Sequence, residues 1–160
     1  MAIALTPPRT SPLPGTLSDW RKTVAAHYLR LGFGSRQRRF MAALPDRSMR
    51  LIADRVSPDV VLGIEAESRV VGVLELFNTQ NDRVEIGISI EDAYQGCGFG
   101  KALLTDGLTA ASRIGVRTAD LYFASENRGI RRLVSAAGGK IIQRGADCEA
   151  HVNIARTRAS

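Results

Sequence analysis

The sequence has only two cysteines, Cys97 and Cys148, in 160 residues. They are too few for a disulfide framework and have no metal-ligand spacing, so both are expected to be free thiols. No run of 18 or more apolar residues occurs, and no transmembrane helix or membrane partner is expected. Residues 1–5 are apolar but too short for a signal h-region, and Pro7 and Pro8 interrupt them. A cytoplasmic location is the expectation. Aromatic residues make up 6% of the chain, with none of the platforms on which single-stranded nucleic acid stacks. No helix-turn-helix signature is present either, which disfavours a nucleic-acid partner. Lysine is scarce, and His27 and His151 stand alone as ordinary surface or core residues. No metal site is expected.

What is present fits one globular domain. Hydrophobic residues make up 44% and charged residues 24%, near the globular average. The length allows one sizeable core and not two of ordinary size. The formal net charge of +6 is carried almost entirely by arginine, which grips phosphates in a bidentate way. Such a balance favours anionic partners, either nucleic acid or a polyanionic cofactor, and acts on encounter rather than on fold.

Residues 1–17 hold Pro7, Pro8, Pro12, Pro14 and Gly15 and read as an extended arm, ordered only where it packs on the body. The single domain is expected over residues 18–156. Ser18-Asp19 opens a helix on which Trp20, Val24, Tyr28 and Leu31 recur at helical spacing, and Gly32 and Gly34 end it. A short helix is predicted over 35–44, with Arg36, Arg38 and Arg39 beside Phe40, Met41 and Leu44. Pro45-Asp46 opens a third helix, with Met49, Ile52, Ala53 and Val56 on one face, and Pro58 stops it.

The pattern then changes from a period of 3.6 to a period of 2. Strands are predicted over 60–66, 70–77 and 84–90, linked by a tight connection at Glu67-Ser68-Arg69 and a polar turn over 78–83. In the third, Ile86, Ile88 and Ile90 point one way and Glu85, Gly87 and Ser89 the other. A helix over 98–115, a strand over 119–124 and a helix over 127–137 follow, the last ended by Gly138-Gly139. Strands over 140–144 and 148–154 close the domain as a hairpin around Gly145-Ala146-Asp147. Short links imply antiparallel pairing, and the strand-helix-strand passage over 84–124 implies one parallel crossover. The expected fold class is α/β (α+β), a mixed, mostly antiparallel sheet with helices on its faces.

The segment that carries chemistry is Gln95-Gly96-Cys97-Gly98-Phe99-Gly100-Lys101. Its alternating glycines let the backbone approach a ligand closely. The helix start behind them offers unpaired N–H groups and a positive dipole end, and Lys101 adds charge, which together suit a pyrophosphate. A dinucleotide-binding Gly-x-Gly-x-x-Gly is excluded by the early third glycine and by residues 91–95, which separate the run from the strand. A P-loop is excluded because only three residues separate Gly96 from Gly100 and Ala102 follows the lysine. A glycine-rich turn that merely caps a helix is the plain alternative.

From Val84 onward the chain resembles the GNAT N-acetyltransferase superfamily. Gln95, Gly98 and Gly100 fill that family's Arg/Gln-x-x-Gly-x-Gly/Ala pattern, and Tyr94, Leu103-Leu104, the strand at Leu121-Tyr122-Phe123 and Asn127 are similar to it as well. The resemblance covers roughly residues 50–154. Ser35-Arg36, Arg39-Phe40-Met41 and the Glu85 neighbourhood resemble the GNAT modules of bacterial protein-lysine acetyltransferases. The resemblance implies splayed central strands, acetyl-CoA as acyl donor and an amine as acceptor. It implies cofactor contacts from the backbone of Ile88, Ser89 and Ile90, from Gln95, Gly96, Cys97, Gly98, Phe99, Gly100 and Lys101, and from Asn127 toward the pantetheine arm.

The family's amine attacks the thioester directly, so it needs a proton acceptor, a stabilised oxyanion and a proton for the thiolate. Glu85 is the candidate base, Glu75 on the neighbouring strand its reserve, and a backbone N–H near Gly87 or Ile88 can polarise the carbonyl. Many members carry a tyrosine seven residues after the asparagine, where this chain has Val134. That departure leaves room for a non-catalytic acyl-CoA-binding module, and the net charge for a basic nucleic-acid-binding domain. The acceptor, the acyl length and the choice between monomer and homodimer stay open.

Overall fold

From residue 17 onward, the helices and strands follow the order expected from helical and strand periodicity. The structure, a computed structural model, describes residues 10–12 and 17–155. Its elements are β1 (Thr10–Pro12), α1 (Leu17–Arg30), α2 (Phe33–Phe40), α3 (Asp46–Arg55), β2 (Val60–Ala66), β3 (Arg69–Asn78), β4 (Arg83–Ile90), α4 (Phe99–Arg113), β5 (Thr118–Ala124), α5 (Arg128–Ala136), β6 (Lys140–Arg144) and β7 (Asp147–Asn153). Most of the expected arm, and residue 156 at the expected domain end, lie outside the described residues. The arm's Thr10–Pro12 adds an edge strand that the sequence reading did not foresee.

The strands form one sheet in the order β1-β2-β3-β4-β5-β7-β6, antiparallel except for the β4–β5 pair. That pair is the expected crossover through α4. Alternation assigns each side chain to a face. Gly72, Leu74, Leu76, Ile86 and Ile88 share one face through the β3–β4 register, and Val73, Glu75, Gly87 and Ser89 share the other. A β-bulge leaves Val71 unpaired between the Ile64↔Gly72 and Glu65↔Val70 partners. Val71 therefore joins one core, while Val70 and Val73 join the other.

The larger core lies under α4 and α5, where Leu103, Leu104, Ala111 and Val134 meet Leu74, Leu76, Ile86, Leu121 and Phe123. Gly107 lets α4 approach closely, because a Cβ there would stand 2.6 Å from Leu74 Cδ1. The smaller core is made by Val24 and Tyr28 of α1, Leu31 just after it, and Met49 and Ala53 of α3 against Val70 and Val73, with Val61 at its margin. These helices therefore cover the β2–β3 side of their face. Farther along that face, β5 and β7 present Asp120, Tyr122, Glu149 and His151.

Candidate functional site

The site follows from where two parallel strands stop pairing. β4 and β5 are in register only over Arg83↔Thr118, Val84↔Ala119 and Glu85↔Asp120. β4 continues to Ile90 on its β3 side, and β5 continues to Ala124 on its β7 side, but the two do not pair with each other past Glu85. The sheet forks. The β5-facing edge of β4 from Ile86 to Ile90 is left without a strand, and its peptide groups can take an extended ligand as one.

Both strands point their C-terminal ends toward the open end of the fork. After β4 comes a short 3₁₀ turn at Asp92–Tyr94, then the glycine run, then α4. Gly96 and Gly98 have φ of 72° and 87°, a left-handed conformation that glycine adopts without strain, and nothing lies within 4 Å of where their Cβ atoms would be. Gly98 caps α4 with its backbone alone, and the first intrahelical acceptor is Gly98 O, bonded by Ala102 N at 3.1 Å. The N–H groups of Phe99, Gly100 and Lys101 therefore precede the helical ladder. An open groove beside them is lined by Cys97, Gly98, Lys101, Ala102, Thr105 and Asp106. Gly100 faces α5, where a Cβ would stand 3.2 Å from Leu133 Cδ1.

The remaining expected ligand contacts are placed as follows. Gln95 donates from Nε2 to Ser35 Oγ and to Ile90 O, both at 2.9 Å, so its side chain ties the loop to α2 and to the end of β4. Phe99 packs edge-on against Tyr94, with ring centroids 5.5 Å apart. Cys97 and Lys101 are exposed. Asn127 is buried and caps α5, its Oδ1 accepting from Ile130 N at 3.2 Å. Ile88 and Ser89 are buried and Ile90 is half-buried on the forked strand.

The two candidate carboxylates have different surroundings. Glu85 is exposed at the closed end of the fork, paired across the sheet with Phe77 and Asp120. Glu75 is 1% exposed, and its Oε2 accepts from Tyr28 Oη and from Arg39, each at 2.6 Å. Its ionic partner thus comes from α2 and not from a neighbouring strand. Arg39 lies over Gly87, where a Cβ would stand 2.1 Å from a guanidinium nitrogen. Burial works against the Arg39 charge, but the Tyr28 oxygen and Glu75 outweigh it and hold the guanidinium above its ordinary value. Burial also pushes the Tyr28 phenol up.

Two networks were not legible in the sequence, because each joins residues more than 30 positions apart. His27 is fully buried, 2.9 Å from Ser89 Oγ through Nε2, and burial with the Arg30 and Arg39 charges lowers its pKa to about 3. Beside it the buried Glu91 is held by Arg30 and Arg69. On the open face Asp120 accepts from Arg83 Nε at 2.7 Å and lies 2.6 Å from His151 Nδ1. Burial raises the Asp120 pKa, but those hydrogen bonds win and leave the carboxyl below its usual range. Tyr122 stands next to this group, half exposed. The only early signal of the two networks was the isolation of two histidines.

Comparison with known proteins adds the lineage. The family model described as Acetyltransferase (GNAT) family matches residues 27–138. A search of curated proteins finds no match. Among solved structures, the GNAT domain of S. lividans PAT has a TM-score of 0.75 at 17% identity, over 91% of this chain and 90% of that one. The ribosomal-protein-S18-alanine N-acetyltransferase from Escherichia coli has a TM-score of 0.65 at 16% identity, over 96% and 99%. The PaiA N-acetyltransferase from Thermoplasma acidophilum, solved with coenzyme A, has a TM-score of 0.67 at 15% identity, over 92% and 99%. Identities this low establish a shared fold. No described helix is long and apolar enough to cross a membrane.

Proposed function

The chain belongs to the GNAT acetyltransferase family, and from that premise we propose that residues 18–156 form one domain that transfers an acetyl group from acetyl-CoA to an amine. The observation that carries this reading is the fork: paired strands that part after Glu85↔Asp120, with a glycine-rich helix start at the open end. The pantetheine amides would pair with β4 between Ile86 and Ile90. The pyrophosphate would sit on the N–H groups around Gly96 to Lys101, supported by the Lys101 charge. Asn127 Oδ1 is committed to its helix, so a contact with the arm would come from its amide nitrogen.

Glu85 stands at the closed end, exposed and level with the point where the strands part. It is the proton acceptor for the incoming ammonium, which must reach its free-base form before attack. A backbone N–H at Gly87 or Ile88 would polarise the thioester carbonyl. Glu75 fits the base role less well, because Tyr28 and Arg39 both occupy its carboxylate in the interior. A second reading, a module that binds acyl-CoA without turnover, draws on Val134, which is fully buried and has no dissociable side-chain proton.

Calorimetric titration with acetyl-CoA, followed by thiol release with an amine panel, tests the proposal. Wild type and Glu85→Gln should bind alike, Gly98→Glu should lose binding, and only wild type should turn over at full rate. Binding without thiol release for any amine would favour the second reading. No binding by wild type at millimolar ligand would overturn both.

A further inference from the structure

We infer that Tyr122 is the catalytic residue that protonates the leaving thiolate. The inference rests on the acetyl-transfer reading above. In direct attack an N–C bond forms and the C–S bond breaks, so an amine and a thioester become an amide and a thiol. The nitrogen must lose one proton and the sulfur must gain one. A thiolate leaves more easily when a positioned acid supplies that proton.

The fork limits which side chains can serve. Past Glu85, β4 offers Ile86, Gly87, Ile88, Ser89 and Ile90, and past Asp120, β5 offers Leu121, Tyr122, Phe123 and Ala124. Only Ser89 and Tyr122 carry a dissociable side-chain proton. Ser89 is buried with its hydroxyl 2.9 Å from His27. Of the other tyrosines, Tyr28 is fully buried against Glu75 and Tyr94 donates to Glu67 at 2.8 Å. On α5, Val134 is buried against Gly139. Tyr122 remains, and it is 50% exposed.

Register places Tyr122 where the chemistry is. Asp120 is opposite Glu85, so two residues on, Tyr122 stands level with Gly87 across the gap and on the same face as Glu85. On that face the space above Gly87 is taken by the Arg39 guanidinium. The charged and titratable groups around the phenol are Glu85 and Arg83 on β4, Asp120 on its own strand, and Glu149 and His151 on β7, with Arg39 of α2 over Gly87. Partial burial and then the Glu149, Asp120 and Glu85 carboxylates raise the phenol above its ordinary value, with Arg83 opposing them. The phenol is therefore protonated at neutral pH. The ammonium first loses one proton through Glu85 to solvent. After the free amine attacks, nitrogen sheds its second proton to Glu85 while Tyr122 gives its own proton to sulfur, and the proton on Glu85 then restores the phenol, directly or through water.

The test is steady-state thiol release from acetyl-CoA by wild type and Tyr122→Phe between pH 6 and 10. The acceptors are spermidine, a lysine-containing peptide and an alanine-initiated peptide. The expected result is a kcat lower by about 10²-fold with KM for acetyl-CoA within about twofold, as loss of a general acid gives. Wild-type kcat should show no alkaline fall up to pH 10, because the raised phenol stays protonated there. An unchanged kcat in the variant would overturn the role of Tyr122 while leaving acetyl transfer standing. So would a loss confined to KM or to thermal stability, which would mark a structural role. No thiol release by wild type with any acceptor would instead overturn the acetyl-transfer reading, and this inference with it.

Discussion

On the same face of the sheet, the two forked strands have opposite surroundings. Past the fork, β4 is roofed: Arg39 lies over Gly87, and Ser89 is bonded to the buried His27 of α1. β5 is more open at the same level, with Tyr122 half exposed beside Glu149, although α2 approaches it as well. Under the roof, ionisable groups are paired and fixed, as Glu75 is by Tyr28 and Arg39 and Glu91 is by Arg30 and Arg69. Buried charges are kept where partners satisfy them, and their removal costs stability. Groups meant to move protons to a passing substrate must be reachable. On the proposed reading, the covered side is scaffold and the two residues that move protons, Glu85 and Tyr122, stand on the more open side.

The largest effect should come from breaking the roof. Arg39→Ala leaves the Glu75 carboxylate buried with only the Tyr28 hydroxyl, at a cost of about 3–5 kcal/mol in denaturant unfolding. Tyr122→Ala on the more open strand should cost only about 1 kcal/mol. The double variant Arg39→Leu, Glu75→Leu should recover most of the loss, since neither charge is then stranded. Equal destabilisation by Arg39→Ala and Tyr122→Ala would erase the distinction between the two strands.

Acid should sharpen the same contrast. His27 has its pKa lowered to about 3 from 6.5, so the folded chain resists a proton that the unfolded chain accepts. Its contribution to stability is fully present above pH 6.5 and is lost as pH falls from there toward 3. The slope approaches about 1.4 kcal/mol per pH unit for one proton. Unfolding free energies of wild type and His27→Gln between pH 7 and 4.5 should therefore converge toward the acid end. Parallel curves would show that His27 does not govern the acid response.

Much of this was legible from residue pattern alone. The period change at Pro58, the alternation of Ile86, Ile88 and Ile90 with Glu85, Gly87 and Ser89, and the glycines before α4 report local backbone rules. The 60–66 and 140–144 strands match the observed elements, and the others differ at their ends by a residue or a few. The short helix predicted over 35–44 starts two residues earlier and stops at Phe40, because Met41 takes a left-handed φ of 55°. β1 was missed because a three-residue strand in a proline-rich arm has no periodicity and forms only by pairing with β2. The roof was missed because it depends on which helix lands on which strand. Arg39, Glu75 and Gly87 look unrelated in the sequence and meet only through the β3–β4 register.

The smallest effect concerns the hairpin tips of the two halves. On the roofed side the β2–β3 turn uses Glu67 and Ser68 at φ of 51° and 63°, which L residues adopt at a cost. On the more open side the β6–β7 turn gives the same role to Gly145, at φ of 63°. Glu67 is also tied to Tyr94, whose hydroxyl donates to it at 2.8 Å, so it is not the residue to change. Ser68→Gly should relieve strain and stabilise by about 0.5–1 kcal/mol, after the added freedom of the unfolded chain is subtracted. Gly145→Ala should destabilise by a similar amount, because alanine meets the strain that glycine avoids. Asn81, at φ of 64° in the β3–β4 turn, is a control: asparagine tolerates this conformation, so Asn81→Gly should gain less than Ser68→Gly. Thermal melts of the three variants rank the turns, and a Ser68→Gly variant no more stable than wild type would show that the β2–β3 tip carries no strain to release.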